Sequence, residues 1–208
     1  MESNPKIETY ILPTGEVVQY IDETHTYIVD GAELPSVTSL LNDFYGNAYA
    51  NVRPEILQRA AEYGTKVHKD LQDLIELREM DDSIPLVSEY QEVQNYFNLV
   101  EPIYKIKPTL TEKVVLLHDA DGKPVAAGRF DLLCEVDGVL TLADFKTTST
   151  IHRQLVTAQL NLYAIAAYQS GYIKTTDIAL GVIHLSGLKS RFLPIPKLDD
   201  KFYLQFIK

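Results

Sequence analysis

Asp131, Asp144 and Lys146 fall within one short stretch, GRFDLLCEVDGVLTLADFK (128–146), otherwise built of strand-forming residues. Two carboxyls and one amine suit work on a phosphate ester. Oxygen ligands hold a hard divalent cation such as Mg²⁺ or Mn²⁺, and an ammonium steadies developing negative charge. Asp137-Gly138 between alternating strands signals a hairpin, because a two-residue type I′ turn needs positive φ at both central positions. That turn sets Val136 opposite Val139, Leu133 opposite Leu142, Asp131 opposite Asp144 and Arg129 opposite Lys146. By alternation, Phe130, Leu132, Cys134 and Val136 share a face with Val139, Thr141, Ala143 and Phe145. The other face gathers Arg129, Asp131, Asp144 and Lys146. Two carboxylates about 5 Å apart repel by about 3 kcal/mol at an effective dielectric near 20. A divalent cation between them reverses that sign; the plainer alternative is a solvated face on which the acids pair with Arg129 and Lys146.

The rest of the chain narrows the chemistry. A single cysteine, Cys134, rules out an intramolecular disulfide and a four-cysteine zinc or iron–sulfur site. The histidines His25, His68, His118, His152 and His184 never make the HxxxH spacing of a helical zinc site. No GxxxxGK loop and no GxGxxG is present, so neither ATP nor a dinucleotide is an expected cofactor. A formal net charge of −10 argues against a protein that coats nucleic acid by bulk attraction and leaves room only for a local cationic groove. With 208 residues, 46% of them hydrophobic and 23% charged, the composition is that of one globular domain. Apolar runs are too short to span a membrane, and the opening MESNPKIETY lacks a signal-peptide pattern, so no membrane association and a cytoplasmic location are expected.

The elements that must position these residues follow from turn chemistry and periodicity. Turn residues at Thr14-Gly15, Asp22-Glu23 and Asp30-Gly31 divide the opening segment into a meander, and Ser36 caps a helix ending at Gly46. Residues 1–50 thus form an N-terminal extension of meander and helix on a single domain of residues 1–208. Apolar positions from Leu57 to Ile75 keep a helical period across Pro54 to Met80 and place His68 on the apolar face. A second helix is expected from Ser88 to Val100, with an S-x-x-Q cap and an exit at Pro102. Three strands (Leu110 to His118, Val125 to Val136, Val139 to Thr147), a helix (Arg153 to Ser170, closed by Gly171), a last hairpin and a short helical tail complete an α/β (α+β) chain. A central mixed β-sheet flanked by helices is the expected architecture.

In order along the chain stand Gly64-x-x-x-His68, Gly128-x-x-Asp131, Asp144-x-Lys146 and Gln159-x-x-x-Tyr163. This arrangement resembles the PD-(D/E)xK nuclease superfamily, and within it the RecB-type and phage recombination exonuclease branch. The resemblance spans about half the chain, with Asp at the D/E position and without the cysteine cluster of some relatives. It implies a restriction-endonuclease-like core and a metal-dependent deoxyribonuclease acting at DNA ends or on single strands. Asp131, Asp144, the Phe145 carbonyl, His68 and Glu112 would hold one or two Mg²⁺ or Mn²⁺ ions, with no Fe–S cluster. Lys146 would orient the attacking water, and Gln159 and Tyr163 would approach the lysine and the DNA backbone. Lys66, Lys69, Arg129 and Arg153, with Arg53 and Arg59, are the cations placed for DNA. Relatives of that branch pair with a strand-annealing recombinase, and some form oligomers. The alternative implied by the same fold is a non-catalytic nucleic-acid or protein-binding module.

Overall fold

The computed structural model describes residues 6–46 and 52–206. Residues 1–5, part of the opening expected to lack a signal peptide, and residues 47–51, at the end of the expected extension, lie outside the described residues. Four short strands, β1 (Ile7–Ile11), β2 (Val17–Ile21), β3 (Thr26–Val29) and β4 (Ala32–Leu34), form an antiparallel meander. Ser36 then caps α1 (Val37–Tyr45), its hydroxyl accepting from the Ser39 N–H at 2.9 Å. The long helix α2 (Pro54–Met80) opens on a proline, which suits a first turn whose N–H groups have no intrahelical partner.

The second expected helix is shorter at its start and longer at its end. Ser88 does not cap it: its hydroxyl accepts from Tyr90 N and donates to Asp70, and helix α3 (Gln91–Asn95) begins later. A π-helical segment (Tyr96–Val100) follows directly, and α4 (Glu101–Tyr104) carries Pro102 in its first turn. The proline therefore continues the helical run.

A five-stranded mixed sheet forms the centre, in the order β5 (Lys107–His118), β6 (Pro124–Val136), β7 (Val139–Lys146), β8 (Ala179–His184) and β9 (Arg191–Ile195). All neighbours run antiparallel except β7 and β8, which are parallel and joined through α5 (Arg153–Gln169). Gly171, with φ of 83°, follows α5 in the left-handed conformation that ends helices. A 3₁₀ turn (Asp200–Gln205) closes the described chain.

Both faces of this sheet are covered. On one, Leu133, Leu142, Leu180 and Val182 pack against α5 and α1. On the other, Leu132, Cys134, Ala143 and Phe145 pack against α2, α3 and the π segment. The meander buries Tyr20, Tyr27 and Val29 against Val114, Leu116 and Ala127 of β5 and β6. No helix among the described residues is long and apolar enough to cross a membrane.

Candidate active site

The β6–β7 hairpin turns as the Asp-Gly pair requires, with φ of 49° at Asp137 and 82° at Gly138. Pairing then runs regularly from Val136–Val139 to Leu132–Ala143 and stops. Asp131 and Asp144 are not ladder partners. Instead the Asp131 carboxylate reaches across and accepts from the Phe145 N–H at 2.7 Å, taking the place of a main-chain acceptor. On the other side, the β5–β6 register skips the pair Glu112 and Asp131 between Thr111–Leu132 and Lys113–Phe130.

Glu112 is the cause. Its φ of 48° is left-handed, a conformation that costs a non-glycine residue about 1–2 kcal/mol and turns the strand locally. The side-chain alternation of β6 changes there. Phe130 packs in the α5 core, whereas Leu132 and Cys134 of the same parity pack in the α2 core. The expected single face of Phe130, Leu132 and Cys134 is thereby divided, and Arg129 is carried away from Lys146. Its guanidinium stacks over Tyr10 and Tyr20 at 5.4 and 5.0 Å and donates to the Tyr10 hydroxyl at 2.9 Å.

The break brings three ligand-bearing side chains together. His68 Nδ1 lies 3.5 Å from an Asp131 carboxylate oxygen and 3.9 Å from Glu112 Oε1, and ligand atoms of all three lie within 4.8 Å of one another. Helix α2 supplies His68 beside the buried Val67 and Leu71, and the Phe145 ring meets the imidazole edge to face at 5.9 Å. Asp144 lies outside this cluster and faces Lys146, whose Nζ is 2.9 Å from Oδ1 and 2.7 Å from Oδ2. The bond to Oδ1 is well aligned. Oδ2 is fully buried and makes no hydrogen bond despite its closeness to the ammonium.

The electrostatics are those of crowded acids. Burial, then the Asp131 charge, pushes Glu112 up to about 8, with Arg129 pulling the other way. Burial likewise lifts Asp144 to about 6 against the opposing effect of Lys146, and Asp131 adds to the rise. Burial alone would lower Lys146, but Asp144 and Asp131 outweigh it and hold the ammonium above its ordinary value. It is therefore charged at any neutral pH.

The His68 imidazole and the Glu112 and Asp131 carboxylates are donor types that suit a divalent cation, and a cation would supply positive charge beside the raised Glu112 carboxyl. No family model and no curated protein matches the chain. A solved structure described as "Crystal structure of SSO0001" aligns over 67% of this chain and 71% of that one, at 12% identity and a TM-score of 0.36. That likeness is too distant to carry an argument.

The remaining expected residues divide. Tyr163, buried on α5, lies across Gly128: a Cβ there would come within 2.6 Å of Tyr163 Cε1, so the G-x-x-D glycine is required by the tyrosine ring. Burial raises Tyr163 to about 12, a hydrogen bond with Gln159 opposes that, and both Asp131 and Asp144 are near enough to contribute. Lys69 pairs with Asp73 yet lines a cleft of about 260 Å³ with His68, Glu112 and Arg129. Lys66, Arg53 and Arg59 are exposed on or beside the first turns of α2, and Arg153 is exposed at the start of α5.

Proposed function

We propose that the protein is a metal-dependent nuclease that hydrolyses phosphodiester bonds, most specifically an exonuclease acting on DNA ends in the manner of the phage recombination branch it resembles. The observation that carries the reading is the interrupted ladder. Glu112 adopts a costly left-handed backbone, and the ladder stops where His68, Glu112 and Asp131 converge beside the Asp144–Lys146 pair. Strain and crowded acids at one point are a cost that a structural role does not require.

His68, Glu112 and Asp131 are the residues that would hold Mg²⁺ or Mn²⁺, with Asp144 committed to Lys146. Such an ion withdraws electrons from phosphate oxygens and lowers the pKa of water. Asp144 fixes the Lys146 ammonium, so that it presents its remaining N–H groups to an attacking water or to a phosphate oxygen gaining charge. Asp131 Oδ2, which accepts from the Phe145 N–H, is also the oxygen nearest His68. Tyr163, hydrogen-bonded to Gln159 on α5, is near enough to feel the charges of Asp131, Asp144 and Lys146, and in this reading the two would approach the lysine and the DNA backbone. A strand-annealing recombinase as partner and assembly into an oligomer belong to the same reading by resemblance.

The test is release of nucleotides from an end-labelled linear duplex and from closed circular DNA, with Mg²⁺, Mn²⁺ or EDTA. Wild type should degrade only the linear substrate and only with metal, and Lys146→Ala should lose about 10²–10⁴ in rate, the range of a positioned proton-handling group. No cleavage of either substrate by metal-loaded wild type would overturn the reading and leave a binding module.

A further inference from the structure

The face of the central sheet that carries Asp144 and Lys146 continues across β8 and β9. In register, Asp144 stands beside Val182 and then Leu193, while Lys146 stands beside His184 and then Arg191. Adjacent strands are about 4.8 Å apart, so the Arg191 backbone is only about 10 Å from that of Lys146. Along this row lies a cavity of about 290 Å³, with the partly exposed Leu193 and Ile151 as its apolar surface over the buried Val182 and Ile195, and rimmed by Thr150, Arg153 and Arg191. Its size is near the lower end of small-ligand sites, roughly 300–1,000 Å³. His184 Nε2 donates to the Thr148 carbonyl at 2.8 Å and so pins the loop that forms the rim.

The charge lining this cavity is of the opposite sign to the net charge of the chain. The chain carries a net charge of −10, yet among the described residues no carboxylate lines the cavity. Nine ion pairs join described residues elsewhere, and neither Arg153 nor Arg191 takes part in one. Two arginines free of acids above an apolar floor match a nucleotide, with a phosphate for the guanidinium groups and a base for the aliphatic surface. We propose that the cavity takes the nucleotide next to the scissile bond, with its phosphate held by Arg153 and Arg191 and its base on Leu193 and Ile151. The strand then crosses β7, β8 and β9 in that order. The assignment of that nucleotide as a neighbour of a cleaved bond rests on the nuclease reading; the anion- and base-binding character of the cavity does not.

The experiment pairs binding with hydrolysis on the full chain. Anisotropy of a fluorescein-labelled single-stranded DNA oligonucleotide is measured in Ca²⁺ across a salt series for wild type, Arg153→Glu/Arg191→Glu and Lys174→Glu/Lys189→Glu. The lysine variant changes net charge equally at two exposed positions outside the cavity. The arginine variant should bind at least about tenfold more weakly and lose about 1.4 from the slope of log K against log salt, the value for two single-strand phosphate contacts. Unchanged melting temperature would show that it is folded. Equal losses in the two variants, or wild-type affinity in the arginine variant, would overturn the assignment. Mg²⁺-dependent hydrolysis with an unaltered KM in the arginine variant would overturn it while leaving the nuclease reading intact. Arginine-dependent binding without hydrolysis by wild type would overturn the nuclease reading, and with it the place beside a cleaved bond, while keeping the cavity as a nucleotide-binding site.

Discussion

The two halves of the β6–β7 pair are made from the same kinds of residue and behave differently. From Val136–Val139 to Leu132–Ala143 the ladder is regular, apolar and packed on both faces. One residue further, the ladder stops, a glutamate sits at positive φ, and Glu112 and Asp144 have raised pKa values, the first beside His68 and Asp131 and the second beside the half-buried Lys146. The regular half shows what the sheet does when only stability matters. The broken half shows local rules set aside where ligand atoms must converge, which is how functional sites depart from otherwise consistent folds.

Substitutions in the two halves should separate stability from chemistry. Leu132→Ala, in the regular half and fully buried, should cost about 2–5 kcal/mol of unfolding free energy in urea and leave the affinity of the folded protein for cation unchanged. Loss of both together would mean that the halves are one unit.

The broken half should respond to pH in the opposite sense from an ordinary salt-bridged site. The folded-state pKa values of Glu112 and Asp144, about 8 and about 6, lie above their ordinary values of 4.5 and 3.8. The folded state therefore binds more protons than the unfolded one between those limits, and stability is lost as pH rises through them. In EDTA the melting temperature should fall from pH 5 to pH 8. Added Mn²⁺ should recover it, and more at pH 8 than at pH 5. A melting temperature that rises over this range in EDTA would mean that the acids are stably paired without a cation.

A smaller effect of reversed sign is expected at Glu112→Gly. Relief of the left-handed backbone and of one crowded acid should raise stability in EDTA by about 1–2 kcal/mol and weaken the stabilisation by Mn²⁺. Destabilisation in EDTA would make Glu112 a structural residue.

The sequence was most informative where one local rule governs. The Asp137-Gly138 turn, the long helix from Pro54 to Met80 and the Gly171 stop all rest on φ preferences or apolar period, and each stands where it was expected. Pro102 misled because a π-helical segment precedes it, which puts the proline at the start of a helical turn. The opposition of Asp131 and Asp144 misled because strand alternation assumes an unbroken ladder, and nothing in T-E-K reveals that Glu112 is left-handed. Arg191 was invisible for a different reason: its place beside His184 and Lys146 depends on the parallel step from β7 to β8, a long-range pairing. The convergence of His68 with Asp131 was legible only through the order of motifs, since helix and strand are far apart in the chain.

The most direct test of the proposed metal site is a calorimetric titration of Mn²⁺ into the wild-type protein and into Asp131→Asn at pH 8, with melting curves of both. Saturable binding by wild type, at least about tenfold weaker in a folded Asp131→Asn, is the result expected of a cluster built for a cation. No saturable binding by wild type, or equal binding by both, would contradict it and leave the interrupted ladder without its explanation.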